Sequence, residues 1–130
     1  MYNQTSRDIY ITVEPNYLDY QSDPEESRYV WAYSVRIENQ GAETVQLLRR
    51  FWRITDARGA IKEVRGDGVV GEQPVLKPGG SFEYTSGTPL STPSGIMVGA
   101  YEMQFENGRT VDVDIPAFSL DSPHEESTVN

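Results

Sequence analysis

The sequence predicts an all-β fold, an immunoglobulin- or fibronectin type III-like β-sandwich of about seven antiparallel strands. Three observations carry that prediction. Apolar residues recur at a period of two almost throughout the 130 residues, the spacing of half-buried strands. No segment of useful length places them at i, i+3, i+4 and i+7, and the 11 glycines and 8 prolines recur too often for long helices. Turn signals separate the apolar runs at the short intervals a sandwich requires.

The elements follow in order. Ile9, Ile11 and Val13 alternate with Asp8, Tyr10 and Thr12 in a first strand. Pro15 to Ser27 reads as a long acidic connection. Tyr29, Trp31, Tyr33, Val35 and Ile37 form the apolar face of a second strand, opposite Ser34, Arg36 and Glu38. Turn residues at Asn39 to Glu43 lead into a third strand, Thr44 to Thr55, which the turn Asp56 to Gly59 closes. Ala60 to Arg65 is a fourth strand and, after a glycine-rich loop, Ser81 to Thr85 a fifth. Gly87 to Gly95, "GTPLSTPSG", reads as extended and polyproline-like. In a sixth strand, Ile96 to Glu106, the residues Met97, Gly99, Tyr101, Met103 and Phe105 share one face. Asn107-Gly108 predicts a type I′ hairpin, a turn that needs positive φ at both central positions. The seventh strand points Val111, Val113 and Ile115 inward and Asp112 and Asp114 outward. These strands make one domain over residues 1–120, and the polar segment 121–130 reads as a disordered tail.

Composition narrows function mainly by exclusion. A chain of this length buries roughly two thirds of its unfolded surface and needs no help to form a core. It has no cysteine, hence no disulfide framework or thiolate chemistry. The longest uninterrupted apolar stretch, Tyr29 to Tyr33, is far short of the roughly 20 residues of a membrane helix. The amino terminus lacks a signal pattern, so a soluble cytoplasmic protein without membrane contact is expected. The net charge of −9 disfavours a nucleic-acid partner. Even so, Arg49, Arg50, Arg53, Arg58, Lys62 and Arg65 fall within 17 residues, opposed there only by Asp56 and Glu63. A local basic strip can hold a small anion or an acidic partner.

Gly66, Gly68 and Gly71 form a GxGxxG pattern. A dinucleotide fingerprint requires a helix after the glycines, whose N–H groups face the pyrophosphate. Here Pro74 and Pro78 interrupt the next turn, and "EQPVLKPGG" carries no helical stripe. The dinucleotide reading fails, and no Lys-Ser or Lys-Thr pair makes the loop a P-loop. Two readings remain. The loop N–H groups can form an anion-binding nest for pyrophosphate or another small phosphate-containing ligand, with Arg65 as clamp. Alternatively, the glycines serve positive φ at a bend. Arg49, Phe51 and Arg53 share one strand face and interleave arginine with an aromatic ring, residue types enriched where proteins bind one another. Arg50 lies on the face of Leu48, Trp52 and Ile54, which should be core, so its guanidinium has to reach the sheet edge or stack on Trp52.

Chemistry-bearing groups are few. The one histidine, His124, lies in the tail, which excludes imidazole catalysis and a histidine–cysteine zinc site. Asp112 with Asp114, and the group Asp19, Asp23, Glu25 and Glu26, offer oxygens of the type Mg²⁺ accepts. They read as solvated or edge-protecting charge rather than a metal site. No catalytic residue and no cofactor are expected, and the chain reads as a non-enzyme that binds a protein partner.

Taken together, six blocks resemble the ApaG family of small bacterial proteins: "SDP" at Ser22 to Pro24, "YVWAYSVRIEN" at Tyr29 to Asn39, "GDGVVGEQP" at Gly66 to Pro74, "PGGSFEYTSG" at Pro78 to Gly87, "TPSGIMVGAY" at Thr92 to Tyr101 and "IPAFSL" at Ile115 to Leu120. The resemblance spans about residues 6–120 in order. It implies a fibronectin type III-like sandwich and an association with cobalt tolerance and magnesium efflux. It also implies a gene neighbourhood shared with diadenosine tetraphosphate hydrolase. In eukaryotes a similar domain is joined to an F-box protein and to a polymerase-interacting protein, with protein binding as the inferred role. Family members often carry His between the residues matching Arg50 and Trp52; this chain has Phe51 there.

Overall fold

A computed structural model describes residues 1–123. Among the described residues it contains nine β-strands and two single-turn 3-10 helices, Asp19–Gln21 and Pro24–Glu26. The strands are β1 (Tyr2–Ser6), β2 (Ile9–Tyr17), β3 (Tyr29–Asn39), β4 (Val45–Asp56), β5 (Ile61–Asp67), β6 (Val75–Leu76), β7 (Ser81–Leu90), β8 (Ser94–Phe105) and β9 (Thr110–Asp121). One antiparallel sheet runs β1-β2-β3-β7 and the other β5-β4-β8-β9, with β6 also paired to β4. The two sheets form the β-sandwich that the periodicity predicts.

The inner faces interlock where the alternation places them. Ile9, Ile11 and Val13 of β2 and Val35 and Ile37 of β3 are buried against Leu47, Met97, Met103, Val113 and Leu120 of the other sheet. Between the sheets, Trp52 meets Tyr33 and Phe118 edge-on, with ring centroids 5.4 and 5.9 Å apart. Along one side, β1 and β2 close onto β9, where the Tyr2 hydroxyl lies 2.9 Å from Ser119 Oγ. Among the described residues, the opposite edges, β5 and β7, pair with no further strand.

Several expectations change. β1 was not foreseen, because Tyr2–Ser6 carries no apolar alternation and its hairpin turn, Arg7-Asp8, lacks a glycine although both residues have positive φ (50° and 65°). β2 runs on through Pro15, which lies beyond the end of β1 where no neighbour needs its missing N–H. The acidic connection therefore begins only at Leu18. The polyproline-like stretch is largely strand: Gly87 to Leu90 pair with Ala32 to Tyr29. Pro89 is accommodated because β7 is an edge strand. At Asn107-Gly108 only Gly108 has positive φ (85°), so the turn is not type I′. Asn107 Oδ1 instead accepts the Arg109 N–H (2.9 Å), and Gly108 N–H donates to Phe105 O, giving a three-residue loop that ends on a left-handed glycine. At the carboxyl end β9 includes Asp121, and Ser122 N–H donates to Pro93 O at 3.0 Å. The rest of the expected tail, including His124, lies outside the described residues.

Candidate functional site

β4 organises both candidate regions. Its ladder with β8 shifts register between Leu47 and Arg49, a β-bulge that makes Leu48 the extra residue. Val45 and Leu47 point inward before the bulge, Arg50, Trp52 and Ile54 after it. Leu47, not Leu48, is therefore the core residue. The bulge also marks a change of neighbour: β6 pairs with β4 before it and β5 after it.

Arg49, Phe51 and Arg53 come together on the outer face of the β5-β4-β8-β9 sheet, as their spacing predicts. Residues opposite one another in a ladder project from the same face, so the register reads as rows across the sheet. One row is Arg65–Phe51–Ala100–Asp114, and the next is Asp67–Arg49–Glu102–Asp112. Beyond them lie Glu63–Arg53–Val98 and Ile61–Thr55–Ile96–Ser119. The Arg65 guanidinium carbon stacks 4.2 Å from the centre of the Phe51 ring. Arg49 pairs with Glu102 (2.5 Å) and Asp67 (3.5 Å), and Arg53 with Glu63 (2.8 Å). Arg49 and Arg53 are thus neutralised in place, while Arg50, Arg58, Lys62 and Arg65 enter no ion pair among the described residues. Composition could not show this, because the carboxylates arrive by cross-strand register, Glu102 from β8 and Asp67 and Glu63 from β5. Ile61 and Ile96 stand 59% and 52% exposed in the outermost row.

In the glycine loop the three glycines have three different reasons. Gly71 (φ +82°) and Val70 (φ +41°) are the central pair of a tight hairpin. That hairpin is closed by Val69 N–H to Glu72 O (2.8 Å) and Glu72 N–H to Val69 O (2.9 Å). Gly68 (φ +64°) lies where an added Cβ would sit 2.2 Å from Glu72 O. Its N–H donates to Leu48 O at 2.8 Å, the carbonyl that the bulge frees, and Gln73 Nε2 donates to the same oxygen at 2.9 Å. Gly66 has ordinary φ; it leaves room for the Arg50 guanidinium, which an added Cβ would approach to 2.7 Å. The N–H groups of Gly68, Val69 and Glu72 are therefore engaged within the loop and its β4 anchor.

The position of Arg50 follows from the bulge and from Gly66. Directed inward from β4 and opposite Gly66, its guanidinium reaches the sheet edge rather than stacking on Trp52. There Nη1 donates to Asp67 O (3.1 Å) and Gly68 O (3.0 Å). Its charge also acts on three tyrosines inside the sandwich. Burial raises the phenols of Tyr33, Tyr84 and Tyr101 above the ordinary tyrosine value, and the Arg50 charge partly opposes that rise. The hydroxyls of Tyr84 and Tyr101 hydrogen-bond each other in the buried interior.

Among the described residues, Asp19, Asp23, Glu25 and Glu26 do not converge into a group that could hold a metal ion, nor do Asp112 and Asp114 with a third ligand. No helix among the described residues is long and apolar enough to cross a membrane.

A family model for the ApaG domain matches residues 19–105, which include β4, the glycine loop and all of β8. The chain belongs to the ApaG family. It is 66% identical over its full length, and the relative's, to Protein ApaG of Paramagnetospirillum magneticum, and 64% identical on the same terms to that of Rhodospirillum centenum. A crystal structure of a Bordetella pertussis protein superposes with a TM-score of 0.87 at 48% identity, covering 92% of this chain and 98% of that one. Both candidate regions therefore sit on an ApaG scaffold.

Proposed function

We propose that this ApaG-family chain is a non-catalytic interaction module whose outer β5-β4-β8-β9 face binds a protein partner. The observation that carries the reading is Phe51, half-buried and stacked by Arg65, standing between Arg49 and Arg53 on a face that also exposes Ile61 and Ile96. Aromatic and arginine side chains of this kind concentrate binding energy in protein interfaces. The cross-strand carboxylates hold the arginines in fixed orientations, which lowers the entropy lost on docking. The association with cobalt tolerance and magnesium efflux would then act through the partner, in the cytoplasm.

Affinity capture with the immobilised chain tests the reading. A stoichiometric protein should be retained by the wild type and lost with Arg49→Glu/Arg53→Glu, while the urea midpoint stays close to wild type. Retention by both forms refutes it. A second reading, pyrophosphate or diadenosine polyphosphate binding at Gly66, Gly68, Gly71 and Arg65, draws support from Arg65. That side chain enters none of the ion pairs among the described residues. Against it stand the loop N–H groups already engaged. Titration with pyrophosphate at low ionic strength decides: unshifted amides at residues 64–74 end this second reading.

A further inference from the structure

The row Arg65–Phe51–Ala100–Asp114 runs cation, large ring, small side chain, anion across four neighbouring strands. A two-fold axis parallel to the strands and passing between β4 and β8 exchanges β4 with β8 and β5 with β9. That operation sets Phe51 of one copy over Ala100 of the other, and Arg65 over Asp114, twice each. In the next row it sets Arg49 against Glu102. From this self-complementarity we infer that the outer face of the β5-β4-β8-β9 sheet docks a second copy of the same chain, as an isologous sheet-on-sheet dimer. The inference rests on the partner-binding reading of this face and names the partner.

Shape and charge both favour this occupant. The short side chain of Ala100 leaves a depression beside Phe51, bounded on the far side by Asp112 and Asp114. Gly99 is required by packing beneath it, since a Cβ there would lie 2.4 Å from Phe51 O. Among the described residues, Arg65, Asp112 and Asp114 enter no ion pair. Arg65 and Asp114 stand at opposite sides of the face, on β5 and on β9, where the two-fold brings their unlike signs together. Asp67 and Asp112 meet at the rim, with Arg49 beside Asp67 to offset the repulsion. Four strands about 4.8 Å apart and seven residues at about 3.3 Å give a face of roughly 400 Å² in projection. Counted on both copies this is about 800 Å², below the roughly 1,200–2,000 Å² of a standard interface, so a weak, transient dimer with Kd in the micromolar range or above is expected.

Sedimentation velocity between 5 and 200 µM tests the inference with the full chain, at concentrations set by that micromolar expectation. The wild type should shift from monomer to dimer across the series. Arg65→Asp and Asp114→Arg, each placing like charges opposite one another, should remain monomeric. Mixed in equal amounts, the two variants should regain the dimer, because every exchanged pair is then again of unlike sign. A wild type that stays monomeric throughout overturns the inference, as do single variants that dimerise normally or a mixture that does not recover. If the chain is monomeric yet still captures a heterologous protein in an Arg49- and Arg53-dependent way, only the dimer falls and the partner-binding reading stands. If capture fails as well, both fall.

Discussion

Replacing Gly66 by alanine separates a glycine that serves a neighbouring side chain from glycines that serve the backbone. The new Cβ would lie 2.7–2.8 Å from three atoms of the Arg50 guanidinium, so Arg50 has to swing away. It would abandon the bonds to Asp67 O and Gly68 O, which are partly solvent-exposed. Two charge-assisted bonds of that kind place the cost at about 1–2 kcal/mol, well short of a buried pair. In an Arg50→Ala background the obstacle is gone, and the same substitution should cost less than about 0.5 kcal/mol. Urea unfolding of the four proteins gives the coupling directly, expected at about 1 kcal/mol or more. Gly68→Ala and Gly71→Ala calibrate the series. The first meets backbone oxygen at 2.2 Å and should cost more than about 3 kcal/mol. The second meets open space and should cost about 1 kcal/mol for its positive φ alone. Additive costs for Gly66→Ala and Arg50→Ala would refute the argument that Gly66 exists to admit Arg50.

Val70 holds φ at +41° with its side chain 55% exposed, so Val70→Asn relieves strain and loses little burial. A stability gain of about 0.5–1 kcal/mol is expected, read as a higher urea midpoint. Tyr101→Phe leaves the buried Tyr84 hydroxyl without its partner and should cost about 1–2 kcal/mol at pH 8. Because burial raises both phenols above the 10.0 expected in the unfolded chain, their protonated native forms stabilise the fold fully below that pH. The contribution is lost as pH rises from there through the higher native values. The urea midpoint should therefore fall above pH 10, and fall less steeply in Tyr101→Phe.

The legible parts of this fold were those that alternation controls locally. The inward faces of β3 and β8 follow directly from Tyr29 to Ile37 and from Met97 to Phe105, because β3 buries every second residue there and β8 does so except at the half-buried Gly99. β1 escaped because an edge strand of Tyr2–Ser6 owes its place to hydrogen bonds and one tyrosine, not to an apolar face. The outer-face grouping of Arg49, Phe51 and Arg53 was legible as a parity. Their neutralisation by Glu102, Asp67 and Glu63 was not, since register between distant strands sets it. Arg50 showed itself as a charge on a core face, but its destination depended on a bulge and a glycine that no alternation rule reports.

Leu48 gives that bulge a meaning beyond the strand. Leu47 and Arg49 pair with the consecutive residues Met103 and Glu102, so a chain lacking Leu48 could form an unbroken β4–β8 ladder with the same residues facing in. Such a chain would lose the carbonyl that receives both Gly68 N–H and Gln73 Nε2. One supernumerary residue thus uncouples the integrity of the sandwich from the anchoring of its loop. A single-residue deletion would leave the barrier to global unfolding largely in place while releasing residues 68–73 to exchange their amide protons from a locally opened state.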